Sequence, residues 1–194
     1  MYNDNIDEIW FVFEDSEIYN LSSKKYIDVT KEWLDRARPN SYKIVIEKQY
    51  IDDFGVKHPI NDKETIHLPS LNSDELKIAN WLNDNLGGQV KLIPSFTSIN
   101  NYQNGVSSPD YIWDNQKWDL KTPVGNGPNT LNKMIEKKEK QAHNFIFDIS
   151  KTKMTREMAI NQIKQIFNSN YRFWVETIIL IDNDTLVCIL KRKK

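Results

Sequence analysis

The sequence predicts an α/β (α+β) fold, a mixed central sheet flanked by helices, with a small α+β annex at the N-terminal end. Three observations carry this expectation. From Asn72 onward, helix-like and strand-like segments interleave as helix, three strands, helix, strand, helix, two strands. The 194 residues include six Trp, eight Tyr and eight Phe, enough large apolar side chains for a core despite 27% charged residues. No stretch approaches the roughly 18 to 20 apolar residues of a membrane span, and Met1–Asn5 is too polar for a signal peptide. The chain therefore reads as a protein without membrane partners in a reducing, cytoplasmic setting. Its lone cysteine, Cys188, sits in the apolar run Thr185–Leu190 and reads as a buried strand residue.

Taken in order, Glu8–Glu14 and Tyr42–Glu47 read as strands, with a short helix near Asp28–Ala37 and a turn at Asp53-Phe54-Gly55. The segment Ile66–Ser73, with Pro69 and Ser70, marks a boundary between an annex of unknown role (1–70) and a main domain (71–194). Asp74–Leu86 carries Ala79, Leu82 and Leu86 at helical spacing and stops at Gly87-Gly88. The apolar run Gln89–Phe96 and the polar loop Thr97–Ser108 precede short strands at Asp110–Trp113 and Gln116–Lys121. The Gly- and Pro-containing loop Thr122–Pro128 leads to a Thr130 cap and one basic helix reaching about His143. That helix carries Lys133, Lys137, Lys138 and Lys140 around an apolar seam of Leu131, Met134 and Ile135. A strand at Asn144–Ile149, a Thr155-capped helix to Phe167, and strands Arg172–Ile181 and Thr185–Leu190 joined at Asn183-Asp184 complete the chain.

Formal charge is unevenly distributed. Residues 1–70 hold 9 basic and 14 acidic side chains, whereas residues 120–194 hold 14 basic and 7 acidic ones. A basic half suits a polyanion such as nucleic acid, the plain alternative being a solvated charged tail.

The segment Pro109–Lys121 concentrates the chemistry. With Asp114-Asn115 as a two-residue turn, Trp113 pairs with Gln116, Ile112 with Lys117, Tyr111 with Trp118, and Asp110 with Asp119. The period of two then puts Asp110, Asp119 and Lys121 on one face and Tyr111, Trp113, Trp118 and Leu120 on the other, the core side. Two carboxylates about 5 Å apart repel, and a hard divalent cation such as Mg²⁺ held by Asp110 and Asp119 would relieve that repulsion. Lys121 could orient a water or steady a developing phosphorane, the chemistry of phosphodiester hydrolysis. Glu75, in line with the Ala79, Leu82, Leu86 stripe, is either a third acidic group of this site or the partner of an Asn72 capping box. Lys133, Lys137 and Lys138, with Gln141 and His143, are candidate substrate contacts.

Pro109-Asp110 followed by Asp119-Leu120-Lys121 resembles the PD-(D/E)xK nuclease motif. The stretch from about Asp74 to Lys194 resembles the C-terminal toxin nuclease domains of contact-dependent inhibition proteins, the CdiA-type tRNases, and related phage and mobile-element domains. The shared features are the Pro-Asp-Tyr strand, the Asp-Leu-Lys strand, the Lys- and Gln-rich segment Lys137–Gln141, the strand Asn144–Asp148 and the basic terminus. The resemblance implies RNA, tRNA above all, as substrate, Asp110, Asp119, Lys121 and Glu75 as catalytic residues, action in the cytoplasm, and a cognate immunity protein. Some toxin tRNases adopt instead a barnase/EndoU/colicin/RelE-like fold that works without metal, in which His143, Lys121 and Thr130 would carry the acid-base work. A catalytically silent module binding nucleic acid or protein is the alternative of another class.

Overall fold

The computed structural model describes residues 24–47, 49–55, 57–59, 66–67, 73–93, 95–96 and 108–194. Its strands are β1 (Tyr26–Asp28), β2 (Val45–Ile46), β3 (Gln49–Ile51), β4 (Lys57–Pro59), β5 (Ile66–His67), β6 (Val90–Leu92), β7 (Ser95–Phe96), β8 (Tyr111–Trp113), β9 (Gln116–Lys121), β10 (Asn144–Asp148), β11 (Thr177–Asp182) and β12 (Thr185–Arg192). Its helices are α1 (Thr30–Arg36), α2 (Asp74–Asn85), α3 (Thr130–Ile135) and α4 (Arg156–Asn168), with a 3₁₀ turn at Asn170–Arg172. Eight strands form one mixed sheet in the order β1-β12-β11-β10-β9-β8-β6-β2. β9, β10 and β11 run parallel, and β6, β8 and β9 form an antiparallel meander. The expected strand Glu8–Glu14, and most of the expected loop Thr97–Ser108, lie outside the described residues.

Both faces of the sheet are covered. On one, α1 and α2 pack Trp33, Ile78, Trp81 and Leu82 against Tyr111, Trp113, Trp118, Leu120 and Ile146. On the other, α3 and α4 pack Leu131, Ile135, Ile163 and Phe167 against Phe145, Phe147, Ile178 and Leu180. The chain crosses from β9 to β10 and from β10 to β11 in the same direction, so uniform crossover handedness puts α3 and α4 on one side. The burial of consecutive β10 and β11 residues follows, because a parallel strand between two helical layers has no solvent face.

Several expectations change. The division at residue 70 does not coincide with a division of the structure: β1 pairs with β12 and β2 with β6, so residues 26–28 and 45–46 close the two edges of the main sheet. The strands begin later than Arg172, since Asn170–Arg172 turns as a 3₁₀ segment and β11 starts at Thr177. The basic helix does not run to His143. α3 ends at Ile135 because no apolar residue recurs until the buried Ala142, and tight turns (Lys138 N to Ile135 O, 3.0 Å; Gln141 N to Lys138 O, 2.8 Å) carry the chain onward. The residue preceding α3 is Asn129, without a side-chain cap bond, so Thr130 is not a cap.

The α2 stop forms as the two glycines predict, with φ of +76° at Gly87 and +85° at Gly88. Gly87 N donates to Leu82 O at 2.8 Å, while Gly87 O accepts from Trp113 Nε1 at 2.9 Å. An added Cβ at Gly87 would meet the Arg38 carbonyl oxygen at 2.0 Å, on backbone that cannot step aside cheaply. Gly87→Ala is therefore expected to cost about 3 kcal/mol, a thermal melting shift of roughly 10 °C, combining left-handed strain with a backbone clash. A melt within about 2 °C of the parent would contradict this packing.

Candidate active site

The β8–β9 hairpin adopts the register the alternation predicts: Trp113 opposite Gln116, Ile112 opposite Lys117, Tyr111 opposite Trp118. Asp114 and Asn115 take φ of +48° and +63°, the double left-handed turn that matches strand twist and that these residue types tolerate. Tyr111, Trp113 and Trp118 point into the α1/α2 layer, where Trp118 meets Trp113 at 5.1 Å and Trp33 at 6.1 Å between ring centroids. Lys117, Asp119 and Lys121 therefore share the opposite face of β9, beside Phe145 and Phe147 of β10.

Asp110 lies just before β8, and there the ladder breaks. Its amide donates to the Trp118 carbonyl at 3.1 Å instead of pairing with Asp119, while its Oδ2 accepts from Leu120 N at 2.6 Å. The two aspartate side chains come close enough that Asp119 acts directly on the protonation of Asp110. Asp119 is completely buried, which the sequence did not lead us to expect: Gln141, from the turn after α3, reaches over it, while Lys117 and Lys121 on either side stay partly exposed. Its charge is compensated by Lys121, whose Nζ forms an ion pair with Asp119 Oδ2 and whose side chain is 12% exposed. Gln141 Nε2 donates to Asp119 Oδ1 at 2.7 Å.

This packing sets the proton balance. Burial holds the Asp110 carboxyl well above the usual carboxylate range, reinforced by the charge of Asp119 and the hydrogen bond between them; Lys121 and the Leu120 amide oppose the rise. Although Asp110 is only half-buried as a residue, its carboxyl is the inward end. Burial likewise pushes the Tyr111 hydroxyl up, with Asp110, Glu75, Asp119 and Asp74 adding to the effect.

As ligands for a divalent cation the two carboxylates fit by chemistry. Both are hard oxygen donors, Asp119 Oδ2 has no hydrogen-bond donor beyond its ion pair, and a cation would relieve the repulsion between them. Among the described residues no group of three His, Cys, Asp or Glu side chains converges for metal binding. Water and a substrate phosphate would have to complete the shell.

The remaining candidate residues are dispersed. Glu75 sits one position into α2, on the layer across the sheet, and it is its backbone carbonyl that accepts from Tyr111 Oη at 2.9 Å. The α2 cap is Ser73, which accepts from Leu76 N at 3.2 Å, so Glu75 is not the third-position partner of a capping box either. Lys133 and Lys137 are exposed and Lys138 half-buried, on α3 and the turn after it. His143 is exposed beside Trp174, ring centroids 6.0 Å apart. It stands level with Lys117, four residues of strand or about 13 Å from Lys121, so the metal-free pairing of His143 with Lys121 is not assembled. Gln141, expected to touch substrate, instead holds Asp119, and the sequence signal for it was only its place in a polar run before β10. Two contacts went unforeseen: Lys117 Nζ with Asp53 Oδ1 at 2.5 Å, and Lys151 Nζ with both oxygens of Asp74 at 2.7 and 2.6 Å. No helix among the described residues is long and apolar enough to cross a membrane.

Residues 107–186 match the family model of the contact-dependent growth inhibition CdiA C-terminal domain. The matched stretch takes in the hairpin, β10, α4, β11 and the start of β12. A solved CdiA-CT/CdiI toxin and immunity complex from Burkholderia pseudomallei aligns over 76% of this chain and 98% of that one, with 19% identity and a TM-score of 0.44. Among curated proteins, none matches the chain.

Proposed function

From the match of residues 107–186 to the CdiA C-terminal domain model, we infer that the chain carries a toxin domain and that this domain is a nuclease that hydrolyses RNA phosphodiester bonds, tRNA being the substrate, in the cytoplasm of the cell it enters. The observation that carries the reading is the contact of two aspartates, one wholly buried, with a lysine ion-paired to the buried one. Such a cluster is costly to the fold and has an evident use in phosphoryl transfer. The α2-β6-β7-β8-β9-α3-β10 succession, with β10 parallel to β9, supports the PD-(D/E)xK comparison alongside the motif.

Asp110 and Asp119 would hold Mg²⁺, which when bound supplies an electrophile for the phosphoryl oxygen and lowers the pKa of an attacking water. Lys121, anchored by Asp119, places its ammonium where charge develops on the phosphorane and steadies it. Gln141 fixes the Asp119 carboxylate through Oδ1, leaving Oδ2 toward Lys121. Asp110 has to lose its proton before it can serve as a ligand, so cleavage rises with pH into a range above that of an ordinary aspartate. The basic residues Lys133, Lys137 and Lys138 would add sequence-independent attraction for the polyanion. A cognate immunity protein belongs to the same reading.

The test is incubation of purified protein with total tRNA and with duplex DNA, each with Mg²⁺ or with excess EDTA. Cleavage of tRNA in Mg²⁺ alone is expected. Full activity in EDTA would overturn the metal role of Asp110 and Asp119, and preferential cutting of duplex DNA would overturn the substrate.

A further inference from the structure

Beside the aspartate pair lies a cleft of about 320 Å³ at the amino ends of β9 and β10. Lys117, Lys140, Gln141 and His143 contribute donors to its lining, and Asp53, Glu139 and Glu176 contribute acids. Two features connect it to the centre described above. Gln141 lines the cleft and also donates to Asp119, so a ligand seated there is one hydrogen bond from the buried carboxylate. Lys117 lies two residues before Asp119 on the same face of β9, a separation of about 7 Å along the strand. That is close to the step between neighbouring phosphates of a single nucleic-acid strand. A lysine, an aspartate and a lysine thus alternate along one strand face, Lys121 at one end and Lys117 at the other.

The Lys117 ammonium is already met by an anion. The turn joining β3 to β4 brings Asp53 Oδ1 to 2.5 Å from Lys117 Nζ, although Asp53 itself is 70% exposed and Lys117 only 25%. Asp53 sits on a turn held by its own local bonds, Phe54 N to Asp52 Oδ1 at 2.9 Å and Gly55 N to Asp52 O at 3.0 Å. A carboxylate on a solvent-facing turn contributes little to stability through such a pair, and water or another anion can take its place readily. A phosphate oxygen bears the same charge and the same acceptor chemistry.

We propose that this cleft is a phosphate subsite for the substrate strand, one phosphate removed from the Asp110–Asp119–Lys121 centre, and that Asp53 occupies it as an internal anion which the substrate displaces. The proposal rests on the nuclease reading for the identity of the strand, but not for the existence of the subsite. Lys117 supplies the charge, Lys140 and His143 the flanking donors, and Asp53 a competitor that lowers affinity for RNA.

The experiment measures binding of a fluorescein-labelled single-stranded RNA by anisotropy in EDTA, across a salt series, for the parent protein, Lys117→Gln and Asp53→Asn, with thermal melts of each. Both substitutions abolish the same ion pair. The expected result is opposite shifts: Asp53→Asn tightens binding several-fold, whereas Lys117→Gln weakens it about 5-fold or more and flattens the salt slope by about 0.7. Shifts in the same direction, or none, would assign the pair a purely structural role and overturn the subsite. Cleavage of tRNA by the parent alongside unchanged affinities would leave the nuclease reading standing without the subsite. Opposite shifts in a protein that cleaves no RNA in Mg²⁺ would leave the subsite standing without the nuclease.

Discussion

Lys121→Ala is expected to lower RNA cleavage roughly 10²- to 10³-fold, the usual cost of losing one preorganised stabiliser of transition-state charge. The same substitution is expected to lower stability by about 3 kcal/mol, a melting shift of roughly 10 °C, because breaking a buried pair strands the remaining charge. The stranded charge is Asp119, with no exposed surface and Gln141 as its remaining side-chain donor. Loss of activity could then be blamed on unfolding, so a second variant separates the two. Asp119→Asn/Lys121→Met removes both charges, and the asparagine carbonyl can still accept from Gln141. It should melt near the parent temperature, since a neutral replacement of a buried pair is often tolerated. It should also remain inactive. Activity in that double variant, measured on tRNA with Mg²⁺, would remove both residues from the chemistry.

What could be read from the sequence was local. The β8–β9 register follows from a two-residue period and from Asp114 and Asn115, both tolerant of positive φ; the β11–β12 turn at Asn183 and Asp184 repeats the device, with φ of +48° and +58°. The stop of α2 follows from two adjacent glycines, and the start of α4 from Thr155, whose hydroxyl accepts from Met158 N at 3.2 Å. The pairing of Asp119 with Lys121 follows from the same two-residue period, whereas the cross-strand pairing expected between Asp110 and Asp119 does not form, because the ladder breaks at Asp110.

The rest depends on partners far along the chain. Periodicity marks Lys117, Asp119 and Lys121 as a polar strand face, and an isolated polar face normally meets water. Asp119, at the centre of that face, is buried where the turn after α3 returns Gln141 across it, and nothing in the residue pattern of Lys137–Gln141 announces that return. Pairing of β1 with the far end of β12 is equally non-local: Tyr26 opposite Arg192 carries no signal in either segment, so the N-terminal residues read as an annex rather than as edge strands. Glu75 sits on α2, whose apolar stripe covers the tryptophan face of the sheet, and its charge acts together with those of Asp110 and Asp119 on the Tyr111 hydroxyl.

Asp110→Asn should separate activity from stability in the opposite sense to Lys121→Ala. The asparagine keeps an acceptor for the Leu120 amide, and its NH₂ can donate to Asp119. It is a permanent imitation of protonated Asp110. In the parent protein the Asp110 pKa is raised on folding, so the group's contribution to stability is complete below the unfolded value near 3.8 and is lost as pH rises through the folded value. The asparagine variant does not suffer that loss. Its melting temperature, measured in EDTA so that no cation binds, should coincide with the parent's below about pH 4 and exceed it increasingly above, reaching about 2–4 °C, or about 1 kcal/mol. Cleavage should fall by roughly 10²-fold or more at every pH, because the amide cannot serve as an anionic ligand. A variant less stable than the parent at pH 8 would mean that Asp110 is ionised and favourably paired in the fold. Retained cleavage would mean that the acidic pair is an accident of the hairpin, and the phosphodiester chemistry would then have to be sought elsewhere on the sheet.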